Sequence, residues 1–166
     1  MLYAYNLSMS THFENGKAVM VDVSDKATTA RRAVAEVFVK LPPEVLQALL
    51  AGDNEKGDAI AVAELAGIMA AKRTSELIPL CHPLPLTKVT VKGSMDESLS
   101  YVHFEAVCKT TAQTGVEMEA LTAASVAALT LYDMLKGLSK AIVIERLQLV
   151  EKEGGKSGLW QRLLGH

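Results

Sequence analysis

Apolar positions recur along this chain at two periods, two and three-to-four, and the elements follow from where each period holds. Over residues 99–109 the period is two. Val102, Phe104, Ala106 and Cys108 fall on one side, which predicts a strand with one buried face. Residues 88–92 alternate the same way, with Val89 and Val91 against Lys88, Thr90 and Lys92, and residues 93–98 read as the hairpin loop between the two. The short β-branched run at 19–23 predicts a first strand, and residues 141–151, rich in Ile, Val and Leu, a last one. A helical period fits elsewhere. Ala30, Ala33, Val34, Val37, Phe38 and Leu41 form an amphipathic stripe that Ser24 can cap and Pro42 ends. Pro43 opens a second helix with Val45, Leu46, Leu49 and Leu50 buried and Gly52 as its stop. After a turn at 53–57, Asp58 caps a third helix to about Arg73. That helix is apolar on two faces, Ala63–Gly67–Ala70 and Val62–Leu65–Met69, which predicts burial on most sides. A long helix spans about 116–138.

The order is strand, helix with two further helices inserted after it, strand, strand, helix, strand. This is the split βαβ order of an α+β, ferredoxin-like βαββαβ fold: an antiparallel sheet with helices on one face. The expected organisation is an N-terminal arm at 1–18, a single domain at 19–158 and a short tail at 159–166. A chain of 166 residues with 49% apolar content builds one ordinary core.

Charge and cysteines narrow the function classes. A net charge of −2 argues against general nucleic-acid binding, which needs excess Lys and Arg, but leaves room for a local basic pocket. The two cysteines, Cys81 and Cys108, make no disulfide framework and suit a reducing, cytoplasmic setting. The N-terminus shows no signal-peptide pattern. The uncharged run 120–132 is too short to span a membrane.

Candidate chemistry gathers at element ends. Residues 72–86, KRTSELIPLCHPLPL, hold three of the five prolines. Pro79, Pro83 and Pro85 stiffen a loop that displays Cys81 and His82. As adjacent residues on extended backbone, these two are poorly placed to share a metal ion or to form a nucleophile–base pair. No zinc or metalloprotease spacing occurs, so no metal site is expected. On the long helix Asp133 and Lys136 are three apart and share a face with Thr122, Val126 and Leu129. That pairing reads as a surface ion pair, or as an acid–base pair whose lysine pKa is lowered by burial. Thr114 and Glu117 fit a capping box, leaving Glu119 freer to bind a ligand. Lys72 and Arg73 suit a helix C-terminus, and Lys56 with Gly57 a turn. Residues 154–157, GGKS, fail the P-loop pattern and read as a flexible basic loop. Together these groups form the inventory of a site for a polyanionic small molecule with acid–base chemistry.

Two long segments, AAKRTSELIPLCHPLPLTKV and TGVEMEALTAASVAALTLYDMLK, closely resemble the signatures of the molybdenum-cofactor biosynthesis protein C family, the cyclic pyranopterin monophosphate synthases. MVDVSDKATTARRAVAE, KGDAIAVAELAGIMAAKRT and GGKSG are similar to it as well, so the resemblance runs over about 20–158. It implies a ferredoxin-like lyase that takes 3′,8-cyclo-7,8-dihydro-GTP from a radical enzyme and rearranges it to cyclic pyranopterin monophosphate with release of pyrophosphate. It further implies a homohexamer, a trimer of dimers with sites at subunit interfaces, and no metal or organic cofactor. By the same resemblance, Lys56, Lys136, Asp133 and His82 match catalytic positions. Leu80, Cys81, His82, Glu117, Met118 and Glu119 match substrate contacts, and Arg31, Lys72 and Lys152 match basic positions around the pocket. Lys156, close to Lys152, competes with it for the phosphate role.

Two other classes stay in view: a nucleotide-binding module without catalysis, and a Cys81-dependent hydrolase or transferase.

Overall fold

The computed structural model describes residues 12–52 and 57–163. A small hairpin comes first, β1 (Phe13–Glu14) and β2 (Lys17–Ala18), within the stretch read as an arm. Residues 19–28 follow without regular structure, so the strand expected at 19–23 does not form. The predicted first helix is instead a strand, β3 (Thr29–Lys40). Ala33, Ala35, Val37 and Val39 alternate along it and are fully buried. The segment satisfies both periods, and β-branched Val34, Val37 and Val39 with Phe38 favour the pleated surface.

α1 (Pro43–Ala51) starts and stops as its sequence dictates, with proline in its first turn and Gly52 in the left-handed region (φ 70°) at its end. It buries Val45 and leaves Leu50 exposed, unlike the expectation. α2 (Ala59–Ala71) is capped by Asp58, whose Oδ1 accepts from the Ile60 and Ala61 N–H groups at 3.1 and 3.0 Å. A short α3 (Thr74–Leu77) interrupts the expected loop. β4 (Leu86–Asp96) runs on through residues read as hairpin loop, and β5 (Tyr101–Ala112) buries Val102, Phe104, Ala106 and Cys108 as the alternation predicts. α4 (Glu117–Leu135), β6 (Val143–Glu153) and β7 (Trp160–Gln161) complete the order.

Five strands form one sheet in the order β4-β5-β3-β6-β7, every pairing antiparallel. The fold is therefore α+β, with α2 and α4 packed on the sheet face that carries the alternating core residues. The inserted-helix expectation is revised. Among the described residues no helix precedes α1, and α2 is the crossover between the first two long strands, with α1 and α3 as its additions. α4 buries Ala120, Ala123, Ala124, Ala127, Leu131 and Leu135, a stripe that accounts for its apolar composition although its 19 residues are long enough to cross a membrane. Gly67 lets the two helices meet: a Cβ there would sit 2.7 Å from the Ala123 carbonyl oxygen. The antiparallel crossing sets the C-terminal end of α2 beside the N-terminal end of α4. The second apolar face of α2 is not covered. Val62, Leu65 and Met69 are 42%, 58% and 48% exposed, because among the described residues α2 packs chiefly against α4 and β4, with a slight contact to β5.

Candidate active site

The proline loop is tied at both ends. Thr74, buried, donates its hydroxyl to the Ala71 carbonyl at 3.0 Å, and the Ile78 N–H reaches the Thr74 carbonyl at 2.9 Å. Further on, the Thr110 hydroxyl of β5 donates to the Pro85 carbonyl at 2.7 Å. Between these anchors the Cys81 N–H donates to the Ile78 carbonyl at 3.1 Å. The loop thereby lies against the start of α4, where Glu117, Met118 and Glu119 form the first turn.

Two clefts of about 290 Å³ each meet at His82 and Glu119. One is lined by Leu80, Cys81, Glu117 and Met118, and the other by Lys72, Thr74 and Ser75. Six of the substrate-contact positions and Lys72 thus converge. The capping box does not form: Val116 is the N-cap, with no side-chain cap bond. The first-turn carboxylates are left for other roles. Glu119 is 4% exposed, and burial pushes its carboxyl up to about 7, with Glu117 adding to the rise. Burial and Glu119 also raise the Cys81 thiol, and they push Cys108 up to about 12. A nucleophilic thiol needs the opposite shift, so Cys81 is a cleft wall.

Arg31 lies on β3 opposite Thr110, and its Nη2 donates to the Gln113 carbonyl at 3.5 Å. Residues 154 and 155 cover it. A Cβ on Gly155 would overlap the Arg31 guanidinium, and both glycines have positive φ (103° and 72°). Lys152 pairs across from Ala33 and contacts the Ser157 hydroxyl, while Lys156 is exposed. Neither Arg31 nor Lys152 lines the two clefts.

Asp133 and Lys136 are elsewhere. They end α4, with Lys136 Nζ 2.6 Å from Asp133 Oδ1, and their side chains are 62% and 51% exposed. Of the two readings the sequence allows, this is the exposed ion pair rather than a buried lysine of lowered pKa. The hydrogen bond and charge of Asp133 raise the Lys136 pKa, and solvent keeps the amine charged. Asp133 stands 14 residues beyond Glu119, about 21 Å along the helix axis at its 1.5 Å rise per residue. Lys56 lies outside the described residues.

Sequence reasoning missed Lys26, Val21 and Val23, which line the His82 cleft from the segment before β3. The signal was Asp22 two residues before Ser24, a side-chain-to-backbone turn that fixes this segment without regular structure. Among the described residues no group of three or more His, Cys, Asp and Glu side chains is placed to hold a metal ion. A concavity of about 540 Å³ lies on the opposite sheet face around Phe38, Tyr101, His103 and Arg146, and none of the expected site residues lines it.

Known proteins are similar to this chain in sequence over most of its length. The family model described as the MoaC family matches residues 20–155. A protein of Nostoc sp. named cyclic pyranopterin monophosphate synthase is 58% identical over 154 residues, covering 92% of each chain. One of the same name from Thermomicrobium roseum is 58% identical over 153 residues, again covering 92% of each.

Proposed function

The chain belongs to the MoaC family, and from that premise we propose that it is a cyclic pyranopterin monophosphate synthase. In this reading it is a cytoplasmic lyase of molybdenum cofactor biosynthesis. It takes 3′,8-cyclo-7,8-dihydro-GTP from a radical enzyme, opens the imidazole ring, closes the pyranopterin and releases pyrophosphate as the cyclic phosphate forms. One domain over 19–158 carries the reaction. Free thiols at Cys81 and Cys108 suit the compartment. The antiparallel strand order, with β3 and β5 central, supports a ferredoxin-like topology.

The observation that carries the reading is the division of the family's site positions between the two ends of α4. His82, Cys81 and Glu119 line clefts at one end, while Asp133 and Lys136 stand in solvent at the other. Groups about 21 Å apart along one helix cannot act on one bond. Two copies can combine them, one supplying the cleft and the other the Asp133–Lys136 pair. The exposed apolar face of α2, with Leu129 one turn before Asp133, supports burial of that end against a neighbour, as in a homohexamer built from dimers.

Each residue's role follows from its chemistry. Lys136 is charged in the isolated chain, so it begins as a proton donor and charge stabiliser. Closing the interface desolvates it, lowers its pKa and lets it return as a base. Lys56 assists Lys136 in the proton transfers. His82 hydrogen-bonds or protonates a phosphate or hydroxyl oxygen. Arg31, Lys72 and Lys152 hold the triphosphate and favour the leaving pyrophosphate. Glu119, its carboxyl near half-ionised at neutral pH, orients the guanine-derived ring.

The test is turnover. The purified chain, given the cyclised GTP, should release pyrophosphate and the cyclic pterin. Lys136→Ala and Lys56→Ala should each slow it by roughly a hundredfold or more, the range for losing a positioned acid–base group. Binding without pyrophosphate release, or variants as fast as wild type, would remove the reading.

A further inference from the structure

On the sheet face turned away from α2 and α4, β6 breaks its own alternation. Ile144 and Leu149 both pack against the core, yet they are an odd number of residues apart, a step that a regular strand cannot place on one face. The pairing absorbs the extra residue. Glu36 pairs with Gln148 and Phe38 with Glu145, so Arg146 and Leu147 together stand opposite Val37. Arg146 takes a left-handed backbone (φ 53°), uncommon for a residue other than glycine. The bulge carries its guanidinium over the Phe38 ring, 3.9 Å from the centroid, with the Tyr101 ring at 5.4 Å. From the neighbouring strand His103 stacks on Phe38 at 4.5 Å and 26°, and Tyr101 meets it edge-on at 6.0 Å.

These four side chains line the concavity of about 540 Å³. Most of the polar groups around it are engaged within the chain. Glu145 Oε1 accepts from the Tyr101 hydroxyl at 2.6 Å. Glu36 holds His103 Nε2 at 3.0 Å and accepts from Gln148 at 2.7 Å. Asp96 Oδ1 accepts from the Ser98 hydroxyl at 2.7 Å and the Leu99 N–H at 3.0 Å. The Arg146 guanidinium differs. Its contacts are the two rings, and among the described residues it makes no hydrogen bond or ion pair. A guanidinium held over a ring keeps its N–H fork for an acceptor, and that fork matches the two oxygens of a carboxylate. Asp96 and Glu97 line the same concavity and repel a second negative charge, which disfavours phosphate and polyphosphate groups. Met95, Leu99 and Tyr101 offer apolar surface to a ring. We propose that this concavity binds an aromatic monocarboxylate, with the carboxylate on Arg146 and the ring against Met95, Leu99 and Tyr101. The site does not depend on the synthase reading, and the contact between copies proposed above uses the helical layer and leaves this face open.

The probe is 2-naphthoate, titrated calorimetrically into the full-length protein. Wild type should bind it with a Kd of about 1 mM or tighter, the range a ligand of this size reaches. Arg146→Gln should bind about tenfold more weakly, the effect of losing a charge-assisted bidentate pair. The neutral isostere 2-naphthamide should bind wild type about tenfold more weakly than the carboxylate, for the same reason. Lys92→Gln should match wild type. That lysine lies opposite Glu105 on the same sheet face and does not line the concavity, so it controls for general attraction of an anion. Excess inorganic pyrophosphate should not displace the probe. No binding by wild type, equal binding by Arg146→Gln, equal binding of the amide, or displacement by pyrophosphate overturns the proposal. Loss of the synthase reading shows separately, as naphthoate binding with this Arg146 dependence in a chain that does not turn over the cyclised GTP.

Discussion

Glu119 concentrates the residue-scale physics of this chain. Its carboxyl is 4% exposed in the first turn of α4, where a helix N-terminus favours negative charge, yet burial outweighs that and lifts its pKa from 4.5 to about 7. Between those values the folded chain keeps a proton that the unfolded chain has released. Stability therefore falls as pH rises through that window and levels off above it. Glu119→Gln removes the titration. Relative to wild type it should gain with rising pH, by at most about 3 kcal/mol above pH 7. Urea melts of both proteins at pH 5 and pH 8 measure this, and a stability difference that does not change with pH would refute the burial argument. Sequence marked Glu119 as the acid a capping box would spare. It could not mark the burial, which comes from the proline loop closing over α4.

At the scale of elements, the contact between α2 and α4 is set by small side chains. Gly67 has the Ala123 carbonyl 2.7 Å and the Ala127 Cβ 3.3 Å from where its own Cβ would be. Gly67→Ala improves helix propensity by up to about 1 kcal/mol but forces the helices apart. The overpacking should win, lowering stability by about 1–3 kcal/mol in chemical denaturation. A stabilised variant would mean that the crossing is loose. Elements were legible where one cue stood alone. Asp58 and Gly52 ended helices because capping chemistry is local, and the β5 alternation had no competing period. β3 was misread because ARRAVAEVFVKL satisfies both periods. Its strand character was decided by pairing with β5 and β6, which no local pattern contains. Residues 19–23 differ from the strand the sequence predicts for the converse reason: a β-branched run with no neighbouring strand to pair with is not a strand.

For the whole molecule, the sequence and its family resemblance supply candidate site residues and leave their arrangement open. His82, Glu119, Asp133 and Lys136 are all legible as candidates, but the cleft shared by His82 and Glu119 lies at one end of α4 and Asp133 with Lys136 at the other. Helical spacing makes near neighbours visible and says nothing of which chain completes a pocket. A composite site makes a sharp expectation. His82→Ala damages only the cleft end of a protomer and Lys136→Ala only the other end, so each variant alone should be nearly inactive. Co-expressed, they form mixed pairs in which one interface joins an intact cleft to an intact Asp133–Lys136 end. With random pairing across a two-fold interface, about a quarter of all sites regain wild-type composition. Pyrophosphate release by the purified mixture should recover to about that fraction. If each chain formed its site alone, every site in the mixture would carry one lesion, and the mixture would be as inactive as its parents.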